Sequence, residues 1–386
     1  MKYREDKHGN KLSLLGFGCA RFSRDKTETE RIILAAIEGG INIFDTGYIY
    51  SNSEVYLGYA LANNNKRKDV YIVDKLPLYL CKKPDDFDKL FNEQLKRLQT
   101  DYIDYYLMHS IMDYAQWDHF RNMGIEDWIA NKKEAGLIRQ VGFSYHGPGK
   151  DFIKVLDSYD WEYSLIQYNY YNENYQAGKT GLLAAAEKGI PVTIMEPLLG
   201  GWLATGLPKQ AVEMFAKSDP NLTPVDWGFW WLWNQRQVTV AFSGMNTMEM
   251  LEQNLRSVDN FRSLTDKELA VYTDVIELFK KSFKVSCTGC NYCMPCPQKV
   301  NIPGCFAAFN SSYAQGLAAG IVFYAASTSA VTKNPGGAHQ CNKCGKCEKV
   351  CPQYIPIRET LKKAARRLEP LPLRLILALV RRIMTK

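Results

Sequence analysis

The feature that most constrains the fold is a regular alternation of short apolar segments with longer amphipathic segments. Apolar runs such as VTIM (192–195) and VTVAF (238–242) predict strands that are buried on both faces. Eight strands are predicted at 12–19, 41–45, 70–75, 102–108, 138–144, 163–168, 191–195 and 237–242, and helices at 27–39, 53–63, 85–98, 125–135, 149–158, 180–188, 223–234 and 247–256. Eight βα units predict an α/β chain folded as a closed (β/α)8 TIM barrel rather than an open doubly wound sheet.

The segments that flank these repeats set the predicted domain boundaries. Residues 2–14 predict a short hairpin, and 264–283 a closing helix with a capping box between Thr265 and Glu268. We therefore expect a barrel domain at 1–283, a second domain at 284–360 and a C-terminal tail at 361–386. The N-terminus is charged and lacks an apolar core, so it does not read as a secretory signal, and a cytoplasmic protein is expected.

Nine of the eleven cysteines lie between residues 287 and 351, and eight of these form two runs. CNKCGKCEKVCP (341–352) has the C-x2-C-x2-C-x3-C-P spacing of two-cluster ferredoxins, and CTGCNYCMPCP (287–297) is one residue shorter. This spacing predicts an α-rich, ferredoxin-like domain with two 4Fe-4S clusters, in which the last cysteine of each run binds the other cluster. One cluster is then held by Cys287, Cys290, Cys293 and Cys351, and the other by Cys341, Cys344, Cys347 and Cys296. Two zinc sites are the alternative, because C-x2-C pairs also suit tetrahedral zinc.

The other cysteines and the insert between the two runs carry less information. Cys19, Cys81 and Cys305 are predicted to be packed thiols. The insert at 302–340 is longer than the connection in a minimal ferredoxin, and it begins with IPGCFAAFNSSYAQ, which predicts a helix.

Four polar residues lie at predicted strand ends, where the catalytic side chains of a parallel barrel project. Asp45 and Tyr50 lie in FDTGYIYSNSEVYLG, Lys75 in IVDKLP and His109 in YYLMHS. A tyrosine, whose ordinary pKa is about 10, needs a nearby cation to act as a general acid near neutral pH, and Lys75 supplies one. His109 is placed to hold a carbonyl oxygen, and residues 51–54 are predicted to cap the next helix.

These segments resemble the aldo/keto reductase family over residues 1–280. The resemblance implies a catalytic tetrad of Asp45, Tyr50, Lys75 and His109, in which Tyr50 is the acid and Asp45 orients Lys75. PCPQKVNIPGC and CGKCEKVCPQYIPI resemble the subgroup of this family that has an appended ferredoxin-like domain. The implied activity is the reduction of an aldehyde or ketone by nicotinamide hydride, so a small-molecule carbonyl substrate is expected.

The resemblance also implies a coenzyme site formed by the ends of the later strands. EPLLGG (196–201) follows the seventh strand and SGMNTMEMLEQN (243–254) the eighth, and both suit phosphate binding. The implied coenzyme-binding residues are Ser144, Gln167, Glu196, Leu198, Gly200, Gly201, Ser243, Gly244, Met245 and Asn254. Gly244 and Met250 stand where many members carry cations for the 2′-phosphate, so NADP(H) and NAD(H) both stay open. Met195 replaces a common aromatic residue, and Tyr145 a common asparagine.

The nicotinamide and the iron–sulfur clusters transfer different numbers of electrons. Hydride transfer moves two electrons, each cluster moves one, and no flavin motif is evident in the sequence. The clusters are therefore either structural or exchange electrons with a redox partner protein. The alternative function is an electron-transfer protein whose barrel is a docking scaffold. A redox sensor is a third hypothesis, although no DNA-binding element is found and no nucleic-acid partner is predicted.

The formal net charge of +7 belongs to the tail, because residues 361–386 carry eight Lys or Arg and one Glu. In LPLRLILALVRRIMTK (371–386), Arg374, Arg381, Arg382 and Lys386 fall on one side of a helix, and apolar residues fill the rest. The apolar run is much shorter than the about 20 residues that span a bilayer. The tail predicts either a peripheral contact with anionic lipid at the inner face of the membrane, or packing on the barrel or a second subunit.

Overall fold

The computed structural model describes residues 1–330, 332 and 334–384. The chain divides into two compact units. The first unit consists of Met1–Pro197 and Val225–Leu264, and the second of Leu198–Pro224 and Thr265–Lys386. The segment at 198–224 therefore groups with the C-terminal part of the chain rather than with the segments next to it in sequence.

The first unit contains the predicted closed barrel of eight parallel strands. In front of it, β1 (Tyr3–Glu5) and β2 (Lys11–Ser13) form the predicted antiparallel hairpin. The barrel strands are β3 (Leu15–Gly18), β4 (Ile43–Asp45), β5 (Tyr71–Leu76), β6 (Ile103–Ile111), β7 (Ile138–Tyr145), β8 (Tyr163–Gln167), β9 (Val192–Met195) and β10 (Val238–Ser243). They follow one another round the barrel in chain order, and β10 pairs with β3 to close it.

Helices follow each barrel strand and continue into the C-terminal region. They are α1 (Lys26–Glu38), α2 (Ser53–Asn63), α3 (Asp85–Leu98), α4 (Tyr114–Asn122), α5 (Ile125–Glu134), α6 (Gly149–Asp157), α7 (Gly178–Glu187), α8 (Trp202–Thr205), α9 (Lys209–Ser218), α10 (Pro224–Trp233), α11 (Met248–Asp259), α12 (Asp266–Ser282), α13 (Ile302–Ala314), α14 (Leu317–Ser327), α15 (Ile357–Leu368) and α16 (Leu371–Met384). Of these, α8, α9 and α12–α16 belong to the second unit. No helix in the described part of the chain is long and apolar enough to cross a bilayer.

Large side chains fill the interior of the barrel. The cluster comprises Leu12, Ile43, Val73, Tyr105, Leu107, Tyr163, Leu165, Val240 and Phe242. Gly16 on β3 makes room for one of them, because a Cβ there would lie 2.5 Å from the ring of Phe242. The barrel interior is thus a packed core, and polar side chains suited to catalysis are expected at the carboxyl ends of the strands.

The second unit has its own core around the cysteine runs. Thr265 and Glu268 form the predicted capping box at the start of α12, and α9 packs on α12 through Phe215 and Tyr272, whose ring centroids are 5.5 Å apart. The predicted helix in the insert is α13. The core shared by α13, α14 and α15 contains Val300, Ile302, Cys305, Phe306, Tyr324, Ile357, Leu361 and Leu368, and the partly buried Cys287, Cys293, Cys296, Cys341, Cys347 and Cys351 pack against it.

Five helices, α4, α8, α9, α14 and α15, were not predicted from the sequence. Three of them are short elements in connections after barrel strands. α4 illustrates the difficulty, because its fully buried face is only Trp117 and Phe120 and its start depends on a cap in which Asp113 accepts a hydrogen bond from the N–H of Gln116. α15 carries a regular signal, with Ile357, Leu361, Ala364 and Leu368 buried at helical spacing.

Candidate active site and cysteine sites

An ion pair inside the barrel joins two of the predicted catalytic residues. Asp45 ends β4, and Lys75 lies on the neighbouring strand β5. The Lys75 Nζ donates to Asp45 Oδ1 at 2.5 Å and also to the backbone carbonyl of Thr46. Only 1% of the Lys75 side chain is exposed, so the ammonium group has a fixed position and depends on these acceptors.

Tyr50 and His109 lie beside this ion pair. The Lys75 Nζ is 5.1 Å from the ring centroid of Tyr50, on the turn between β4 and α2. The rings of Tyr50 and His109 meet edge to face, with centroids 6.2 Å apart. The four residues predicted from the sequence are therefore brought together at the carboxyl ends of β4, β5 and β6.

A bulge in β6 sets the position of His109. The pairing of β6 with β7 shifts register between Met108 and Ile111, and Ser110 has a positive φ of 61°. The backbone N–H of Ser110 donates to Ser144 Oγ at 2.7 Å. Ser144, predicted as a coenzyme residue, thus also supports the backbone next to His109.

Burial governs the charges in this site. Burial lowers the pKa of His109 well below its usual range, and the nearby Lys75 and His146 lower it further, so the imidazole is neutral near pH 7. Burial raises the pKa of Asp45, while the Lys75 ammonium group acts in the opposite direction. A neutral imidazole can donate a hydrogen bond to a substrate oxygen, and it adds no second positive charge beside the buried Lys75 ammonium group.

The predicted helix cap at residues 51–54 is wrong. No side chain caps the start of α2 at Asn52. Ser53 Oγ lies 2.7 Å from Thr46 Oγ1 instead, and Glu54 Oε2 accepts from Arg97 Nη1 at 3.0 Å. Both side chains therefore bind groups outside the first turn of α2 instead of its N–H groups.

Glu54 belongs to a buried polar network behind the tetrad. Gln94 Nε2 on α3 donates to Glu54 Oε1 and to the carbonyl of Lys75, both at 3.0 Å. The Tyr106 hydroxyl on β6 donates to Gln94 Oε1 at 2.6 Å. The network therefore connects the elements that carry Tyr50, Lys75 and His109, without touching the reacting groups.

Asp74 completes this network and creates a pair of facing carboxyl groups. Its Oδ1 accepts from the N–H of Lys75 at 2.8 Å, and no donor among the described residues reaches the buried Oδ2. Glu54 interacts with Asp74, and burial together with the charge of Glu54 raises the pKa of Asp74 well above its usual range. The simplest arrangement is a protonated Asp74 that donates to an ionised Glu54, which Arg97 also neutralises.

Asp74→Asn is expected to change how the stability of the protein depends on pH. The folded state keeps a proton on Asp74 that the unfolded state releases above a pH of about 4. The wild-type free energy of unfolding therefore falls as the pH rises above about 4. The amide can take the place of the shared proton, so the free energy of unfolding of the variant should fall less steeply with rising pH than that of the wild type, by at most the about 1.4 kcal/mol per pH unit that one proton contributes. Denaturant unfolding at several pH values measures the slope; equal slopes in both proteins would contradict the shared proton.

The predicted coenzyme residues of the first unit lie at the ends of four consecutive strands, β7 to β10, except Asn254, which lies on α11. Gln167 ends β8, opposite Met195 in register, and Asn254 Nδ2 on α11 donates to Ser243 Oγ at 2.7 Å. Glu196 has a positive φ of 54°, and its backbone carbonyl accepts a hydrogen bond from Asn169 Nδ2 at 3.1 Å. Gly244 is exposed and Met245 is buried. Their roles in coenzyme binding stay predictions.

Leu198, Gly200 and Gly201, the remaining predicted coenzyme residues, belong to the second unit. They form a tight turn before α8, in which Gly200 and Gly201 have φ values of 68° and 97°. Such values favour glycine, because a side chain would strain the backbone.

Three neighbours of the predicted site were missed by the sequence analysis. The Arg21 Cδ lies 3.7 Å from the position of a Cβ on Gly244, which brings a cation to a loop that lacks one. Tyr79 faces His109, with ring centroids 6.2 Å apart. His146 is buried and lowers the pKa of His109. His146 directly follows Ser144-Tyr145 in the predicted strand end, whereas nothing in the sequence pointed to Arg21 or Tyr79.

The cysteine runs also come together. A small cavity is lined by Cys287, Cys290, Cys293 and Cys351, with Ile302, Pro303, Phe306, Ile355 and Ile357 among the other lining residues. Cys347, in turn, lies within electrostatic range of Cys341 and Cys296. The three packed thiols, Cys19, Cys81 and Cys305, are buried as predicted.

Zinc and iron–sulfur clusters differ in how their thiolate ligands are arranged. Among the described residues, no group of three or more His, Cys, Asp or Glu side chains is placed to hold one metal ion. Tetrahedral zinc needs four sulfurs about 2.3 Å from one centre, whereas a cubane spreads its four thiolates over four irons. The four cysteines of the first set and their apolar lining suit a cluster.

The barrel matches a family model described as the aldo/keto reductase family, over residues 14–277. The chain belongs to this family. A second model, described as a 4Fe-4S dicluster domain, matches residues 286–355, which contain all eight cysteines of the two runs. This aldo/keto reductase therefore joins the barrel of its family, a family of oxidoreductases, to an iron–sulfur domain.

Individual relatives match parts of this aldo/keto reductase. The NAD/NADP-dependent indole-3-acetaldehyde reductase of Schizosaccharomyces pombe is 29% identical over 47% of this chain and 64% of its own length. The methylglyoxal reductase DkgA of Escherichia coli O157:H7 is 34% identical over 35% of this chain and 46% of its own length. This chain spans only 34% to 64% of the length of the first curated relatives that it matches.

Solved structures show the same fold. The aldo-keto reductase AKR11C1 from Bacillus halodurans, in its holo form, aligns with a TM-score of 0.61 and 22% identity. The alignment covers 71% of this chain and 96% of that one. At this identity the similarity establishes the barrel fold and not the substrate.

Proposed function

We propose that this protein reduces a carbonyl compound with a nicotinamide coenzyme at the Asp45, Tyr50, Lys75 and His109 site. The observation that carries the proposal is the buried ion pair of Lys75 and Asp45 beside Tyr50, with the Lys75 Nζ 5.1 Å from the tyrosine ring. A cation held there stabilises a phenolate, which is what a tyrosine acid requires.

Each residue has one role in the proposed reaction. The nicotinamide coenzyme, when bound, supplies a hydride for the carbonyl carbon. Tyr50 donates its phenolic proton to the carbonyl oxygen, and Lys75 stabilises the phenolate that this leaves. Asp45 orients the Lys75 ammonium group at 2.5 Å. His109, neutral because of burial, holds the substrate oxygen next to Tyr50.

We propose that coenzyme binding involves Ser144, Gln167, Glu196, Ser243, Gly244, Met245 and Asn254, with Leu198 and Gly201; Gly200 adjoins Gly201 in the same turn. The positions of the first six at strand ends, and the hydrogen bond from Asn254 to Ser243, support this assignment. Arg21 beside Gly244 offers a cation for the 2′-phosphate that NADP(H) carries and NAD(H) lacks, which favours NADP(H).

Two 4Fe-4S clusters are proposed for the second unit. Cys287, Cys290, Cys293 and Cys351 would hold the first, and Cys341, Cys344, Cys347 and Cys296 the second. The apolar cavity around the first set supports this assignment. Clusters, when bound, supply one-electron chemistry, and free thiolates of this kind suit a reducing compartment such as the cytoplasm.

The experiment that tests the reductase proposal is a coenzyme-oxidation assay on anaerobically purified holoenzyme. We expect NADPH or NADH to be consumed only when a carbonyl compound is present. Methylglyoxal and indole-3-acetaldehyde are suitable first substrates, because two relatives are named as reductases of these aldehydes. No consumption with any aldehyde or ketone of a broad panel would contradict the proposal.

The same assay separates the electron-transfer alternative. Protein from which the clusters have been removed should still turn over carbonyl compounds if the barrel is the catalyst. Loss of this turnover, together with cluster-dependent reduction of a one-electron acceptor, would support an electron-transfer protein with a redox partner.

We also propose that α16 makes a peripheral membrane contact. Leu371, Leu375, Ile376 and Leu379 on α16 are 57% to 63% exposed, so this apolar face is open. Arg374 and Arg382 on the same helix are exposed as well, whereas Lys386 and the side chain of Arg381 lie outside the described residues. An exposed apolar face with neighbouring cations suits an anionic lipid surface. Such a contact would suit clusters that exchange electrons with a partner in the membrane.

Flotation with liposomes tests the membrane contact. Full-length protein is expected to float with anionic liposomes at low salt and to be released at high salt, because each cation contributes roughly 1 kcal/mol near such a surface. A variant that ends at Glu369 should stay with the soluble fraction, and neutral liposomes serve as the control. If both proteins float equally, or neither floats at low salt, the tail makes no membrane contact.

A further inference from the structure

Gly200 is in close contact with the first cysteine run, inside the second unit. A Cβ on Gly200 would lie 2.3 Å from the carbonyl oxygen of Thr288, which is far inside van der Waals contact. Its φ of 68° adds strain for any side chain. The backbone of residues 198–201 can therefore approach Cys287-Thr288 only because residue 200 is glycine.

Trp202 makes a second contact with the same run. Its Nε1 donates to the carbonyl of Cys287 at 3.1 Å, so the proposed first ligand of one cluster has its backbone held by an indole. The ring of Trp202 packs on Phe283, with centroids 5.3 Å apart, and Phe283 stacks on Phe279 of α12 at 4.7 Å. The contact therefore has a rigid aromatic support.

Gly201, the next residue, has different surroundings. Its φ is 97°, and nothing lies within 4 Å of the position of a Cβ. One glycine of the pair is closed by protein backbone, and the other is open. A simple turn does not require two adjacent glycines to have such different surroundings.

We propose that the turn at 198–202 has two separate functions, in which Gly200 and Trp202 position the loop of the first cluster and Gly201 admits a phosphate of the coenzyme. The cluster half of this inference rests only on contacts within the second unit. The phosphate half rests on the proposed function, which assigns Gly201 to the coenzyme. Gly200, Gly201 and Trp202 are positioning residues here, since none of them touches reacting atoms.

Two glycine variants test the separation of functions. Gly200→Ala should displace the cysteine run and lower bound iron from about eight to about four per chain, because one cluster loses its first ligand. Gly201→Ala should retain all the iron but raise the Kd for NADPH by about tenfold, since the added methyl blocks close approach to phosphate. Iron and sulfide analysis and coenzyme fluorescence measure these two quantities without an activity assay.

Trp202→Phe provides a variant that keeps the packing on Phe283 and removes only the N–H donor. Its first cluster should be lost to an iron chelator faster than the wild-type cluster, with an unchanged circular dichroism spectrum. Full iron in Gly200→Ala with wild-type chelator resistance in Trp202→Phe would overturn the cluster half. Unchanged NADPH affinity in Gly201→Ala would overturn the phosphate half. Failure of the proposed function itself is distinct, because wild-type protein would then bind no NADPH.

Discussion

Tyr50→Phe is expected to lower carbonyl reduction by at least about 10²-fold, the usual effect of removing a general acid. The phenylalanine ring keeps the edge-to-face contact with His109 and removes only the hydroxyl. Lys75 keeps its hydrogen bonds to Asp45 and Thr46, so the site should remain folded. Steady-state turnover of the best aldehyde measures the loss, and coenzyme fluorescence should show unchanged nicotinamide binding.

Tyr56→Phe is the matched control for this variant. Tyr56 lies on α2, and its hydroxyl donates to the backbone carbonyl of Arg24 at 3.1 Å, away from the ion pair. Its turnover should stay within about twofold of wild type, as expected of a residue that is not a general acid. Wild-type turnover in Tyr50→Phe would show that the proton comes from elsewhere and that the tetrad assignment is wrong.

Regular periodicity made most of the barrel predictable. α2 and α3 begin and end at the predicted residues, since apolar positions in 53–63 and 85–98 repeat at helical spacing and both helices are followed by polar turns. β6 was predicted to end at residue 108 but continues to Ile111. The difference is the bulge at Ser110, where a residue other than glycine or asparagine adopts a positive φ and leaves no mark in the sequence.

The candidate sites show the same division between local pattern and tertiary contact. Asp45, Tyr50, Lys75 and His109 could be found because each lies at a strand end, and parallel strand ends converge. The carboxyl pair of Glu54 and Asp74 could not, since their proximity depends on how α2 packs against β5. The contact of Gly200 with Thr288 was equally hidden, because 88 positions separate them in the chain. Strand-end spacing thus identifies the candidate catalytic residues. The residues that hold them or the cysteine loop in place can be identified only from the packing of the folded chain.

Cys344→Ala is expected to remove one of the two proposed clusters. Cys344 is exposed and belongs to the second set with Cys341, Cys347 and Cys296. A cubane that loses one of four thiolates is left with an open iron, so bound iron should fall from about eight to about four per chain in anaerobic preparations. Because Cys341, Cys347 and Cys296 pack against the core around α13 and α15, the second unit should also unfold at a lower temperature.

Cys81→Ala is the control for a cysteine outside the runs. Cys81 is buried in the first unit, where its Sγ donates to the carbonyl of Pro77, and its replacement should leave about eight irons and the visible absorption of the clusters unchanged. The zinc alternative makes the opposite prediction for the wild-type protein. Stoichiometric zinc without visible absorption, in protein kept from oxygen throughout, would replace both proposed clusters with tetrahedral sites. Four irons lost from Cys344→Ala and none from Cys81→Ala is the result that assigns the second run to a cluster.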